Sequence, residues 1–458
     1  MKNTKAPGVE EGRDAIRKAH WRKIAACFFL LVLIPAVLSA GASDRPDGTK
    51  QQYSLEELYR LGIERSEEIQ IARNQLFIAE KDVDRAFSVL VPQLSGFGDY
   101  IQYNASDVIQ PKSGHSYGVK LQQQFTVNGR ELIVFQAAKD TTVQREYDMN
   151  AVMESFLYTV AQDYFDIVNK HNRLVILQDN VNRLEAHRDA VLKKMALEEA
   201  PKTDLLRTEA ELSGSRSELI QSENALILAR STLSRLLELP GPCEVIVPDM
   251  EGTEMVSDSL DALIHSALAH RSEIKSLETS EKLAQAQVDI TRSEYWPKLS
   301  LEAGYKFQGS DPSYYAVDET LYGAASLNMT LFDWGLRSAT ISQDKAAQRN
   351  VQLQLDALSK QVALEVEKAY LVMLTARSSI QSLRDKLKFS KASYEAVSLQ
   401  FQLGQADILD IMDANTVLKS AEQELSEALY YFSLSRVGLK RAQGIFLSEV
   451  KNELGIAD

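Results

Sequence analysis

The chain has 458 residues, a formal net charge of −13, and few prolines (11) or glycines (21). That length allows a large core or several domains. The acidic balance argues against a basic nucleic-acid-binding face, and ordinary apolar content argues against a polytopic helical membrane protein.

The first 42 residues have the pattern of a secretory signal peptide. Arg13, Arg17, Lys18, Arg22 and Lys23 precede the apolar run 24–38, and Ala40-Gly41-Ala42 supplies an A-x-A site. Cleavage is expected after Ala42 or after Ala40. The run is shorter than the ~20 residues of a spanning helix and contains Pro35. Cys27 would leave with the signal, so Cys243 would stand alone as a small packed residue. No later segment is long and apolar enough for a transmembrane helix, so entry into a membrane would have to use strands.

Residues 55–91 carry helical spacing. Leu58, Leu61, Ile69, Leu76, Ala79 and Val83 fall near one stripe, and Pro92 stops the helix. Alternation follows. Residues 92–103 form a weak strand with Phe97, Ile101 and Tyr103 on one side. After a polar loop, Tyr117, Val119, Leu121, Phe125 and Val127 alternate with Lys120, Gln122, Gln124 and Thr126. After Gly129 the helical period returns and holds to about residue 200. Roughly 65 residues make a helix of about 100 Å, too long to stand without equally long neighbours. A turn near Pro201 leads into a returning helix over 204–239.

The same order then recurs. A helix over 260–295 ends before Pro297. Leu299, Leu301, Ala303, Tyr305 and Phe307 alternate with polar residues, and Leu321, Gly323, Ala325, Leu327, Met329 and Leu331 line the next strand. A second long helix follows Gly335, and a second returning helix spans 407–442. Sequence matches accompany the order: Arg65-Ser66-Glu67-Glu68-Ile69 with Arg271-Ser272-Glu273-Ile274, Pro92-Gln93-Leu94 with Pro297-Lys298-Leu299, Tyr164 with Tyr370, and Thr203-Asp204-Leu205 with Leu409-Asp410-Ile411. Their nearly constant offset identifies a tandem repeat. The expected organisation is a signal peptide over 1–42, repeat 1 over 43–240, an inter-repeat segment over 241–258, repeat 2 over 259–445 and a tail over 446–458.

Strands of about ten alternating residues suit a membrane β-barrel. Aromatic residues sit near strand ends (Tyr103, Phe125, Tyr305, Phe307, Phe332, Trp334), and the opposite face is polar but rarely charged. Four strands cannot close a barrel. Two chains would give about eight strands and a plugged interior, whereas three give twelve and a lumen.

Together the repeat, long helices and strand pairs resemble the TolC family of outer-membrane efflux proteins, over residues 53–444. The most specific stretch is Phe401-Gln402-Leu403-Gly404-Gln405-Ala406-Asp407-Ile408-Leu409-Asp410-Ile411-Met412-Asp413-Ala414, similar to the family's glycine turn followed by L-D-x-x-D-A. Phe332-Asp333-Trp334-Gly335 resembles its strand-to-helix junction. The resemblance implies a mainly α protein with a transmembrane β-barrel. Its homotrimer would join a 12-stranded barrel in the outer membrane to a long periplasmic α-helical barrel, with residues 241–258 and the tail contributing to an equatorial belt. It implies no enzymatic activity, cofactor or metal. It also implies passive conduction within a tripartite efflux or type I secretion system. The partners would be a periplasmic adaptor (membrane fusion) protein, an inner-membrane pump of RND, ABC or MFS type, and outer-membrane lipid.

Asp410 and Asp413 match the family's paired aspartates at the periplasmic gate. Three apart, they share a helix face, and threefold symmetry would stack two cation-attracting carboxylate rings. Read without the resemblance, they are acids on the first turn of a helix with Asp407 as N-cap. Thr203 and Asp204 match the family's partner position on the other hairpin. The tyrosine and arginine that reach this position in well-known members are replaced by Phe401 and Ala406. Either other contacts close this gate, or it rests more open and conducts more. Glu198 stands where repeat 2 has Gly404, so the first turn is expected to differ from the second, using Pro201. No P-loop, G-x-G-x-x-G, G-x-S-x-G or H-E-x-x-H is present. The competing reading is a periplasmic coiled-coil adaptor or scaffold without a pore. An adaptor would show one hairpin between lipoyl-like halves rather than two hairpins and two strand pairs.

Overall fold

The computed structural model describes residues 52–105, 107, 111–248, 259–311, 313 and 318–456. The expected signal peptide lies outside them, as do residues 249–258 of the inter-repeat segment.

Helices α1 (Leu55–Arg65) and α2 (Glu67–Ser88) lead into strands β2 (Gln93–Gln102) and β3 (Ser113–Thr126). A short strand, β1 (Gln52–Tyr53), precedes them. Helix α3 (Arg130–Ala196) and helix α4 (Lys202–Leu236) form the first long hairpin. After the short strand β4 (Glu244–Val245), the order repeats as α5 (Leu260–His270), α6 (Ser272–Arg292), β5 (Lys298–Asp311), β6 (Glu319–Asn328), α7 (Leu336–Gln402) and α8 (Ile408–Ala442). Helices α3 and α7 both have 67 residues, and α4 and α8 both have 35. The tail adds α9 (Phe446–Leu454).

Three pairs of left-handed residues punctuate the two halves: Gly129 with Gly335, Glu198 with Gly404, and Glu238 with Gly444. The members of each pair are separated by the same number of residues. Gly129 and Gly335 cap the N-termini of α3 and α7 at φ 78° and 87°, a conformation glycine adopts without steric cost. Beyond them no proline or glycine interrupts either long helix, so nothing local breaks the helical run.

The helix expected over 55–91 is broken at Ser66, and the one expected over 260–295 is broken at Arg271. Both residues adopt extended ψ values (124° and 128°). Ser66 ends α1 through its N–H to the Gly62 carbonyl, then starts α2 by accepting the Ile69 N–H on its hydroxyl. Helix α1 itself begins with a Ser54–Glu57 capping box, which satisfies two otherwise orphaned N–H groups.

The four long strands form one antiparallel sheet in the order β2-β3-β5-β6. The central pair joins the two halves, and β2 and β6 are the edges. The register aligns Tyr117, Val119 and Leu121 with Phe307, Tyr305 and Ala303, and Tyr305 with Leu321. Tyr117, Val119, Leu121, Tyr305 and Leu321 are exposed on this shared face, and Phe307 is half-buried on it. Phe97, Ile101 and Tyr103 do not join that face: Phe97 pairs with Gly118, and Ile101 with Gly114. Phe97 sits over Gly118 and Tyr322 over Gly304, each filling space a glycine leaves. Strand β6 stops at Asn328 rather than running to Leu331, because its partner begins at Lys298, just after Pro297. Proline offers no N–H to extend the ladder.

Below the sheet α3 packs on α2 and α6 and then on α4 and α8, while α7 packs on α6 and then α8. The lower wall therefore runs α4–α3–α8–α7. The largest buried cluster combines α1, the middle of α3, the end of α4, Cys243, Val245 and α9. Helix α9 was unmarked in the sequence reading, yet Phe446, Leu447 and Val450 are buried there, with Phe446 edge-on to Tyr59. Cys243 is buried, and burial pushes its thiol up to about 11. No described helix is long and apolar enough to cross a membrane.

Candidate functional site at the tips of the two hairpins

The turn that ends α7 carries Gly404 at φ 73° and is closed by the Gly404 N–H to Phe401 O and the Gln405 N–H to Gln400 O. The turn that ends α3 has the same two bonds, from Glu198 to Met195 O and from Glu199 to Lys194 O. Glu198 itself sits at φ 59°. The expectation of a different first turn is therefore incorrect. Glu198 accepts the left-handed conformation, at a steric cost that Gly404 avoids. Pro201 serves instead as the N-cap residue of α4.

Helix α8 starts with Asp407 as N-cap. Asp407 accepts the Asp410 N–H at 2.9 Å, and the Asp410 carboxylate accepts the Asp407 N–H at 3.0 Å. This is a capping box built from two aspartates. Asp410 and Asp413 are exposed, as is Thr203, and Asp204 is half-buried. No hydrogen bond or ion pair among the described residues joins Thr203 or Asp204 to Asp410 or Asp413.

Phe401 and Ala406 belong to the apolar core of the tip. Val191, Phe401, Ile408 and Ile411 are buried together, flanked by Leu205 and Ala406. The core thus contains residues from both hairpins. Burying side chains of this size contributes roughly 1.5–3 kcal/mol each. Lys194 of α3 lies 4.1 Å from the Phe401 ring centre and donates to the Phe401 carbonyl.

A polar network lies next to this core. Arg183 of α3 donates to Asn415 at 2.9 Å and to Glu422 at 3.1 Å, both on α8. Asn415 donates to Asn180 at 2.8 Å, and Asn180 donates to Ser215 of α4 at 3.0 Å. Asn180 and Asn415 are 1% and 3% exposed, so their mutual satisfaction matters: a buried amide left unpaired costs about 1–3 kcal/mol. His187 Nε2 and Tyr394 Oη are 3.0 Å apart. Burial, reinforced by nearby Arg183, lowers the His187 pKa to about 4, so the ring is neutral at pH 7.

Sequence reasoning missed this network. Its signal was present: Asn180 and His187 interrupt the apolar stripe of Leu177, Val181, Leu184 and Val191. Polar residues at core positions of a long helix need partners, and here the partners lie on the other hairpin.

The strand-to-helix junctions differ more than the tips do. In the second half Asp333 accepts from the Gly335 and Arg337 N–H groups and pairs with the Arg337 side chain, which holds its carboxyl below the usual range. In the first half Glu131 reaches back to the Thr126 N–H and hydroxyl, and Asn128 donates to Ser293 of the other half.

An antiparallel sheet carried on paired helical hairpins is a fold shared with solved outer-membrane channels. Residues 263–444 match the family described as Outer membrane efflux protein. The chain is 21% identical over 423 residues to the outer membrane protein TolC of Vibrio cholerae, covering 90% of this chain and 95% of that protein. It is 24% identical over 304 residues to the alkaline protease secretion protein AprF of Pseudomonas aeruginosa, covering 65% and 61% of the two chains. The solved structure of CusC superposes with a TM-score of 0.77 at 17% identity, covering 85% of this chain and 92% of that one.

Proposed function

We propose that the protein is the outer-membrane duct of a tripartite efflux or type I secretion system. It passively conducts substrates delivered by an inner-membrane pump through a periplasmic adaptor. The observation that carries this reading is the sheet. It has an exposed apolar face, two open edges, and strands that lead through left-handed glycines into 67-residue helices. Three copies would close twelve strands into a barrel with a lumen, and the hairpins would continue it as a helical barrel in the periplasm. The equal element lengths support a tandem repeat over 43–240 and 259–445. The cluster uniting α1, β4 and α9 supports an equatorial belt made from residues 241–258 and the tail.

The hairpin tips would form the periplasmic gate. The exposure of Asp410 and Asp413 on one helix supports two carboxylate rings, with Thr203 and Asp204 on the neighbouring hairpin. The contacts of Lys194, Arg183 and His187 hold the second hairpin to the first where a tyrosine and arginine do so elsewhere in the family. Relatives named for protease secretion and for cation efflux both match, which fits a shared duct rather than cargo-specific chemistry. Membrane fractionation and planar-bilayer recording test the reading. The mature protein should be found in the outer membrane as a trimer that conducts ions. Recovery from the soluble periplasm, or as a monomer in detergent, would overturn it.

A further inference from the structure

A cavity of about 460 Å³ lies where α3, the break between α5 and α6, α7 and the end of α8 meet. That size suits a small molecule, whose sites span roughly 300–1,000 Å³. Three cations line it: Arg271 at the break, Lys368 of α7 and Arg441 of α8. Among the described residues the acid on its wall is Glu365. Both Glu365 oxygens are already engaged, one by Gln361 at 3.0 Å and one by Arg271 at 2.7 Å.

The cations are held in place without being satisfied. Arg271 is 8% exposed, yet its Nε has no hydrogen-bond partner, and the Glu273 carboxylate stays 3.9 Å away. A donor on a buried charged group is costly to leave unpaired. Gly444 packs so closely on the Arg271 backbone that a Cβ there would come 2.8 Å from its nitrogen. The Arg441 guanidinium lies 4.6 Å from the centre of the Tyr158 ring. Neither Arg441 nor Lys368 makes an ion pair among the described residues. Glu154 and Glu273 act on Arg271 electrostatically but do not line the cavity. Burial, followed by the Glu273 charge, raises the Glu154 pKa to about 7. Glu154 is therefore about half neutral at pH 7, and the three cations keep a positive excess over the acids around them.

We infer that this cavity binds a small organic oxyanion, a carboxylate or a phosphate ester, with its head among Arg271, Lys368 and Arg441. Guanidinium groups suit both heads, because their N–H forks match planar carboxylate and phosphate oxygens. The Tyr158 hydroxyl, beside Gly438 on the same wall, adds a neutral donor. Ala369, Val372 and Ala442 supply apolar wall, which a bare inorganic ion would leave uncovered and an organic body fills. The ligand touches both hairpins, since Tyr158 belongs to the first and Lys368 and Arg441 to the second. Its binding therefore ties the hairpins together and stabilises the folded chain by mass action. The site lies within one chain, so its failure would leave the proposed duct standing.

The test is titration calorimetry on the full-length protein in detergent, with benzoate, phenyl phosphate, inorganic phosphate and neutral benzamide as probes. Benzoate or phenyl phosphate should bind saturably and raise the melting temperature, and the tighter of the two names the head group. Benzamide should not bind. Inorganic phosphate should bind more weakly than phenyl phosphate, and equal affinity would overturn the role given to the apolar wall. Lys368→Gln and Arg441→Gln should each weaken binding by about tenfold or more, the worth of a lost charge-assisted hydrogen bond. Lys368 is exposed, so its substitution does not threaten the fold. Glu154→Gln removes a charge beside Arg271 and should tighten binding at pH 8 while changing it little at pH 6. Absence of saturable binding by both organic anions, or affinities unchanged in Lys368→Gln and Arg441→Gln, would overturn the site.

Discussion

Glu198 is a glutamate in a glycine's conformation. A left-handed non-glycine residue costs about 1–2 kcal/mol, and glycine returns part of that through its flexible unfolded state. Glu198→Gly should therefore stabilise the first hairpin by a few tenths to about 1 kcal/mol, read as a higher melting temperature by circular dichroism. Gly404→Glu should do the reverse at the second tip. Glu154 presents a second cost. It is 5% exposed, and burial, followed by the neighbouring Glu273 charge, raises its pKa to about 7 against the opposing pull of Arg271 and Arg441. The folded state binds this proton more tightly than the unfolded one, so stability falls as pH rises from about 4.5 through 7. Glu154→Gln should raise the melting temperature at pH 8 and change it little at pH 5. An equal gain at both pH values would remove protonation as the cause.

At the scale of elements, the tip depends on contacts between hairpins. His187 is neutral when folded, with its pKa lowered from 6.5 to about 4. Below pH 6.5 the unfolded chain takes up a proton that the folded site resists, so this stabilisation is lost as pH falls toward 4. The expected result is that single-channel conductance rises between pH 7 and pH 5 and that His187→Gln flattens the rise. A pH profile unchanged by the substitution would assign the effect elsewhere. The long helices themselves were legible because period and breaker residues are local properties. The breaks at Ser66 and Arg271 were not, since one extended ψ at an ordinary residue leaves no periodic trace. The end of β6 was set by its partner, because alternation continues past Asn328 but Pro297 has no N–H to offer.

For the whole molecule the sheet has two faces with different demands. Leu301 lies on the apolar face and Ser300 on the other. If that apolar face meets lipid, Leu301→Arg should cost about 2–4 kcal/mol near the bilayer midplane and sharply reduce assembled trimer in the outer membrane. Ser300→Arg should assemble normally. Equal yields for the two variants would argue against a lipid-facing surface. The open edges β2 and β6 are surfaces that one chain cannot satisfy alone.

Read alone, the sequence showed the element order, the two long helices, the strand pairs and the glycines that precede or end the long helices, because each depends on residue periodicity or on a local breaker. It also placed Asp407 as a helix cap. The roles of Phe401, Ala406 and Glu198 emerged only from the packing of the folded chain. Phe401 and Ala406 face a core assembled from both hairpins, and Glu198 is held in its turn by bonds from a helix end that sequence spacing does not display. The tip network belongs to the same class. Asn180 and Asn415 are far apart in the chain, and nothing in either helix alone says that one amide will satisfy the other.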